Sequence, residues 1–150
     1  MHKVLDNIEL LVGVGESFEL HVKGYSMLPM LGFGDDVIVV RRVDAEEDIV
    51  GRIAMFRGTH NQIIVHRVLS VTDGVVVLRG DGNILQTEEC QRGEIIGVVD
   101  KVRRECGKVV DCTTRSWRRR ERLWLSTPRW VRGKMLGVMR RWLDYKRKKR

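Results

Sequence analysis

Proline occurs only twice in the 150 residues, and cysteine three times with no Cys-x-x-Cys pair. Cys90, Cys106 and Cys112 make no even set, which argues against a disulfide framework and for free thiols in a reducing compartment. No ligand spacing links the cysteines, histidines and acids, so no zinc site is expected, and nothing in the sequence calls for a cofactor. No stretch approaches the ~20 apolar residues of a spanning helix. The opening MHKVLDNIELLVGVGESFEL carries Asp6, Glu9 and Glu16 where a secretory signal would be apolar. A cytoplasmic chain that does not cross a membrane by itself is therefore expected, with peripheral association at the inner membrane face as its membrane role. No internal repeat is visible.

Glycine, in contrast, occurs 15 times, which together with the scarcity of proline suggests many tight turns in a mostly-β body. The length suits one domain. The net charge of +8 hides an asymmetry: residues 113–150 hold 15 Lys and Arg against 2 Asp and Glu, a net of +13, while residues 1–112 hold 13 against 18, a net of −5. A mildly acidic body thus precedes a strongly basic tail, as suits a polyanionic partner.

Residues 3–12 fit a short amphipathic helix with Val4, Ile8, Leu11 and Val12 on one face. Phe18, Leu20 and Val22 alternate with Glu19, His21 and Lys23, a half-buried strand that runs into Gly24-Tyr25-Ser26. Further strands are expected at Val37–Val40, 52–57, 62–71, Val75–Leu78, Ile95–Val102 and Lys108–Val110. The polar residues 58–61 and Asp73-Gly74 read as hairpin connections. Some seven short strands with frequent glycine turns predict a rolled or barrel-like β fold over residues 1–112. Residues 113–150 form a second unit, a basic helical tail with all four tryptophans. Thr127 and Pro128 look like a helix start. Val131, Met135, Val138, Met139, Trp142 and Leu143 then form one apolar stripe beside Arg132, Arg140, Arg141 and Lys146.

Ser26 ends a strand in a small-residue turn, a place that can expose its hydroxyl and neighbouring backbone N–H groups. A serine becomes a nucleophile only with a base and an oxyanion donor. His66, inside an apolar strand, is the side chain whose unperturbed pKa suits a base near neutrality. His21 and His60 read as surface residues.

The ordered blocks Gly24-Tyr25-Ser26-Met27-Leu28-Pro29, Gly34-Asp35, Gly51-Arg52-Ile53, Val65-His66-Arg67-Val68 and Gly80-Asp81-Gly82-Asn83 together resemble the type I signal peptidase superfamily, which includes the self-cleaving domains of phage and stress-response repressors. The resemblance covers roughly residues 17 to 104. It implies the signal-peptidase type of β fold and a serine endopeptidase acting on a short extended segment of a peptide or protein. Ser26 would be the nucleophile and His66 the base, as in the branch where a His-Arg block replaces a lysine. Asp81 would orient the imidazolium, with Gly24, Met27 and Pro29 shaping the oxyanion side. Acids follow the last block only at Glu88 and Glu89.

Two rival readings accompany this one. A repressor-like self-cleaving domain shares the glycine two residues before the serine, but only 25 residues precede Ser26 and the base there is lysine. A β-barrel adaptor would bind membrane or nucleic acid through its tail and need neither Ser26 nor His66. For the tail, Trp117, Trp124, Trp130 and Trp142 among arginines and lysines suit an anionic membrane interface. Nucleic acid is the second partner considered, and docking of the stripe on the body the third reading.

Overall fold

The computed structural model describes residues 7–32 and 34–149. Among the described residues, one helical turn, α1 (Ile8–Leu11), precedes eight strands: β1 (Ser17–His21), β2 (Val37–Arg42), β3 (Ile53–Arg57), β4 (Ile63–Thr72), β5 (Val75–Arg79), β6 (Glu88–Gln91), β7 (Ile95–Arg103) and β8 (Val109–Asp111). Two helices, α2 (Arg115–Ser126) and α3 (Arg129–Lys148), end the chain. Residues 3–6 of the expected first helix, Val4 among them, lie outside the described residues; of the remainder, Ile8–Leu11 is helical.

The strands form one antiparallel sheet in the order β1-β2-β7-β3-β4-β5-β6, with β8 also paired to β7. The fold is mostly β, but among the described residues the expected barrel closure is absent: the sheet is open, with β1 and β6 at its ends. The core is completed by helices instead. Trp117 and Trp124 of α2 and Leu136 and Leu143 of α3 join one buried cluster with Met27, Leu28, Leu31, Ile38 and Met55.

Apolar patterning explains the strand placement. In β3, Ile53 and Met55 enter this cluster, whereas Ala54 and Phe56 enter a second one with Val68, Val76, Leu78 and Val98. A strand buried on both faces has no polar alternation, and Ile-Ala-Met-Phe shows none. At the sheet end, β1 alternates exposed and half-buried positions along its length. Asp73 and Gly74 both take positive φ, 51° and 78°, as the two-residue turn between β4 and β5 requires. One strand escaped the sequence pattern. The segment Glu-Glu-Cys-Gln of β6 has no alternation to betray it, and it is a strand because β5 offers it a free edge, with Leu78 opposite Glu88.

The tail is helical, but its details differ from expectation. Residues 115–126 form a helix of their own, capped by the Thr114 hydroxyl, which accepts from the Trp117 N–H. Thr127 does not start α3; its hydroxyl donates to the Leu123 carbonyl and closes α2, and α3 begins after Pro128. The apolar stripe is not the face that docks. Of its six residues only Leu143 is buried, and the inner face of α3 is Arg132, Leu136 and Leu143. Trp117 and Trp124 are likewise core residues, so they are not available to an external surface. Both pairs, 117 with 124 and 136 with 143, are seven residues apart, two turns along one helix face. Among the described residues no helix is long and apolar enough to cross a membrane.

Candidate active site

Ser26 is presented by a turn that is fastened from beneath. Gly24 takes φ +100°, a left-handed conformation that side chains avoid, so any other residue there would be strained. Beyond Ser26, Met27, Leu28, Met30 and Leu31 are buried, and Pro29 is half-buried between them. The buried Asp36 carboxylate accepts from the Gly32 N–H at 3.0 Å and from Arg104 at 2.7 Å, and Arg104 also donates to the Met30 carbonyl at 2.9 Å. Of the adjacent acids, Asp35, which the motif matched, is exposed; Asp36 does the fastening. Ser26 itself stays exposed.

His66 sits in β4 opposite Ala54 of β3, buried, its ring tilted against Phe56 with centroids 6.2 Å apart. The Gly80-Asp81-Gly82 turn brings Ser26 and His66 together. A Cβ built on Gly80 would lie 2.3 Å from the Ser26 carbonyl oxygen and 3.1 Å from His66 Nε2, so those two atoms lie no farther apart than these distances laid end to end. The Gly82 N–H donates to the Ser26 carbonyl at 2.8 Å, and a Cβ on Gly82 would lie 2.3 Å from the Tyr25 carbonyl oxygen. These glycines are demanded by close backbone approach rather than by the turn alone.

This contact yields a test. Gly80→Ala is expected to cost about 1–3 kcal/mol, because backbone atoms must move to admit the methyl group. Gly93→Ala, with nothing within 4 Å of its Cβ, is expected to be neutral or to stabilise by up to ~1 kcal/mol. Urea unfolding followed by circular dichroism reads both; equal stability of the two variants would contradict the packing described.

The other imidazole nitrogen, Nδ1, faces the Glu88 carboxylate at 3.4 Å. That is longer than a good hydrogen bond, yet Nδ1 and Glu88 Oε2 are both buried with no other partner. Burial pushes the His66 pKa below its ordinary value, while the carboxylates of Glu88 and Asp81 pull it upward and offset this only in part. The ring is therefore neutral near neutral pH, with a lone pair free to accept a proton.

Asp81, expected to orient the imidazole, is engaged elsewhere. Its two oxygens accept from Arg67 Nε at 2.8 Å and Nη2 at 2.6 Å, both side chains being buried. A bidentate pair saturates the carboxylate toward the guanidinium. Arg67 also donates to the Gly51 carbonyl and to Glu121 of α2, each at 2.8 Å. The Trp117 indole donates to Glu121, and the Trp124 indole to the Asp81 carbonyl. Burial opposes the charge on Arg67, and Asp81 and Glu121 keep it. Asp81 thus locks the turn on which the site depends, and Glu88 is the acid that faces the imidazole. Glu88 lies on β6, the strand without a sequence signature, so only the tertiary pairing reveals it.

A groove of about 380 Å³ leads to Ser26, lined by residues 20–24 with Ser26 and Met27 on one side and Ile63, Ile64 and Val65 on the other. Among the described residues, its walls have unpaired strand edges: β1 ends the sheet, and β5 pairs with β4 only from Arg67 onward. Pro29 does not line it. Among the described residues, no group of three or more His, Cys, Asp and Glu could hold a metal ion. The three cysteines are free: Cys106 is exposed, and burial raises the thiol pKa of Cys90 to about 11 and of Cys112 to about 12, leaving them inert. Comparison with protein-family models finds no match for this chain, and comparison with curated proteins finds none either.

Proposed function

We propose that this chain is a serine endopeptidase of the signal-peptidase-like group, with Ser26 as nucleophile, His66 as base and Glu88 as the acid that orients it. The observation that carries the reading is the meeting of the Ser26 turn and His66 Nε2 at Gly80, at the end of a groove with free strand edges. An extended substrate segment adds to such an edge through main-chain hydrogen bonds, its side chains alternating between groove and solvent.

In the reaction, Ser26 Oγ attacks the scissile carbonyl as its proton passes to His66 Nε2. The Ser26 backbone N–H supports the oxyanion. Nδ1–H turned toward Glu88 stabilises the imidazolium. Collapse breaks the C–N bond, and the departing amine takes the proton from Nε2. Water, deprotonated by His66, then hydrolyses the acyl-serine and regenerates the hydroxyl. Asp81 has no part in these proton transfers; it holds Arg67 and the turn.

The test is covalent labelling with a serine-reactive acylating probe, read by intact mass and mapped by peptide digestion. Addition of one acyl group at Ser26, absent in Ser26→Ala, is expected. Absence of labelling at Ser26 in a folded protein would move the reading to a non-enzymatic adaptor, in which this serine has no activated partner.

A further inference from the structure

We propose that the outward face of α3, with the adjoining outer side of α2, is a docking surface for an anionic lipid bilayer. This inference does not rest on the protease reading. Residues 113–150 contain two acids, Glu121 and Asp144. Both are used inward on the body: Glu121 accepts from Arg67 and Trp117, and Asp144 from the Tyr25 hydroxyl at 2.5 Å. Every other charge in the two helices is positive, so the charged side chains that they turn away from the body are all cationic.

The same surface carries apolar groups that the fold does not use. Trp130 is 69%, Val138 68%, Tyr145 59% and Trp142 51% exposed, and Leu123 of α2 is exposed too. Leu136 and Leu143 already dock α3, so these side chains are not needed to hold it. Three exposed rings each carry an ammonium group: Lys134 stands 5.4 Å from the Trp130 centroid, Lys146 5.2 Å from Trp142, and Lys149 4.8 Å from Tyr145. Lys146 also reaches Glu105 at 3.9 Å.

Indoles and a phenol interleaved with cations and aliphatics match the layered chemistry of a bilayer surface. Rings rest at headgroup depth, aliphatics enter the acyl boundary, and ammonium groups meet lipid phosphates. A nucleic acid would use the cations and rings but has no place for Val138 and Leu123. The inner side of α3 touches the site, since Arg140 donates to the Gly82 carbonyl at 2.8 Å and Arg147 lies 5.0 Å from the Tyr25 ring centroid. A bilayer on the outer face would therefore lie one helix away from the Ser26 turn.

The full chain is sedimented at about 0.15 M salt with vesicles of phosphatidylcholine alone or mixed with phosphatidylglycerol. Binding to the mixed vesicles only is expected. Joint Trp130→Ala and Trp142→Ala substitution should weaken it about tenfold or more, and Lys134→Gln or Arg141→Gln about fivefold each, with unchanged circular dichroism and melting because these side chains face away from the core. No sedimentation with mixed vesicles, equal sedimentation with both compositions, or displacement from mixed vesicles by a single-stranded oligonucleotide at lower concentration than the lipid would overturn the proposal.

Discussion

Acylation of Ser26 in His66→Ala is expected to be about 10²–10⁴-fold slower than in the unaltered protein, the usual contribution of a positioned base. The pH profile sharpens this expectation. His66 acts as a base only when neutral, and burial holds its pKa below the ordinary value of ~6.5. The labelling rate should rise with pH to a plateau, with its midpoint on the acid side of that value. Glu88 raises the His66 pKa, so Glu88→Gln should move the midpoint further toward acid while lowering the plateau about tenfold or more, as Nδ1 loses its carboxylate. The two effects have opposite consequences at low and neutral pH, and a merely destabilising substitution would not reproduce them. An unchanged midpoint in Glu88→Gln would remove Glu88 from the site, and an unchanged rate in His66→Ala would remove the mechanism.

Arg67→Ala is expected to destabilise the fold by about 3–5 kcal/mol, the range for breaking a buried ion pair by removing one partner. Two carboxylates, Asp81 and Glu121, would lose their cation inside the protein, and the Gly51 carbonyl would lose a donor. For a chain of this length such a loss lowers the melting temperature on the order of 10 °C. Asp81→Ala should also destabilise, and the Arg67→Ala, Asp81→Ala pair should lose less than the sum of the singles, since the double variant no longer leaves this charge unpaired against its partner. Urea unfolding of all four proteins measures this cycle. Additive losses would mean that the two side chains do not act as one unit, and that α2 is not tied to the Gly80–Gly82 turn through them.

These two clusters mark how far sequence reasoning reached. Ser26 and His66 could be singled out because each sits in a short motif whose residue types have a chemical reason; strand patterning placed His66 within a strand, whereas Ser26 lies in a turn beyond β1, which already ends at His21. Asp81 was visible as an acid in a turn, but its partner was not. Arg67 and Asp81 are fourteen residues apart, and nothing local says that the guanidinium turns into the core rather than to solvent. Glu88 was hidden for a different reason: a four-residue strand stabilised by a neighbour's free edge needs no apolar alternation of its own.

The tail shows the same division. A basic amphipathic character from residue 129 onward followed from period and composition, yet the face that docks did not. Apart from Leu143, the stripe with more apolar residues is exposed or half-buried, and the sparser face of Leu136 and Leu143 is buried in one cluster with Trp117 and Trp124 of α2 and the Met27–Leu31 segment. By itself the sequence determined the strand-rich body, most of its turns, the basic helical end and the two residues proposed for catalysis, since these depend on local periodicity, glycine conformation and short motifs. Only the tertiary structure decided that the sheet stays open, that Asp81 belongs to Arg67, that Glu88 faces His66 and which tryptophans remain outside. Each of those depends on contacts between residues far apart in the chain, and such contacts are set by which buried surfaces and charges find complementary partners in three dimensions.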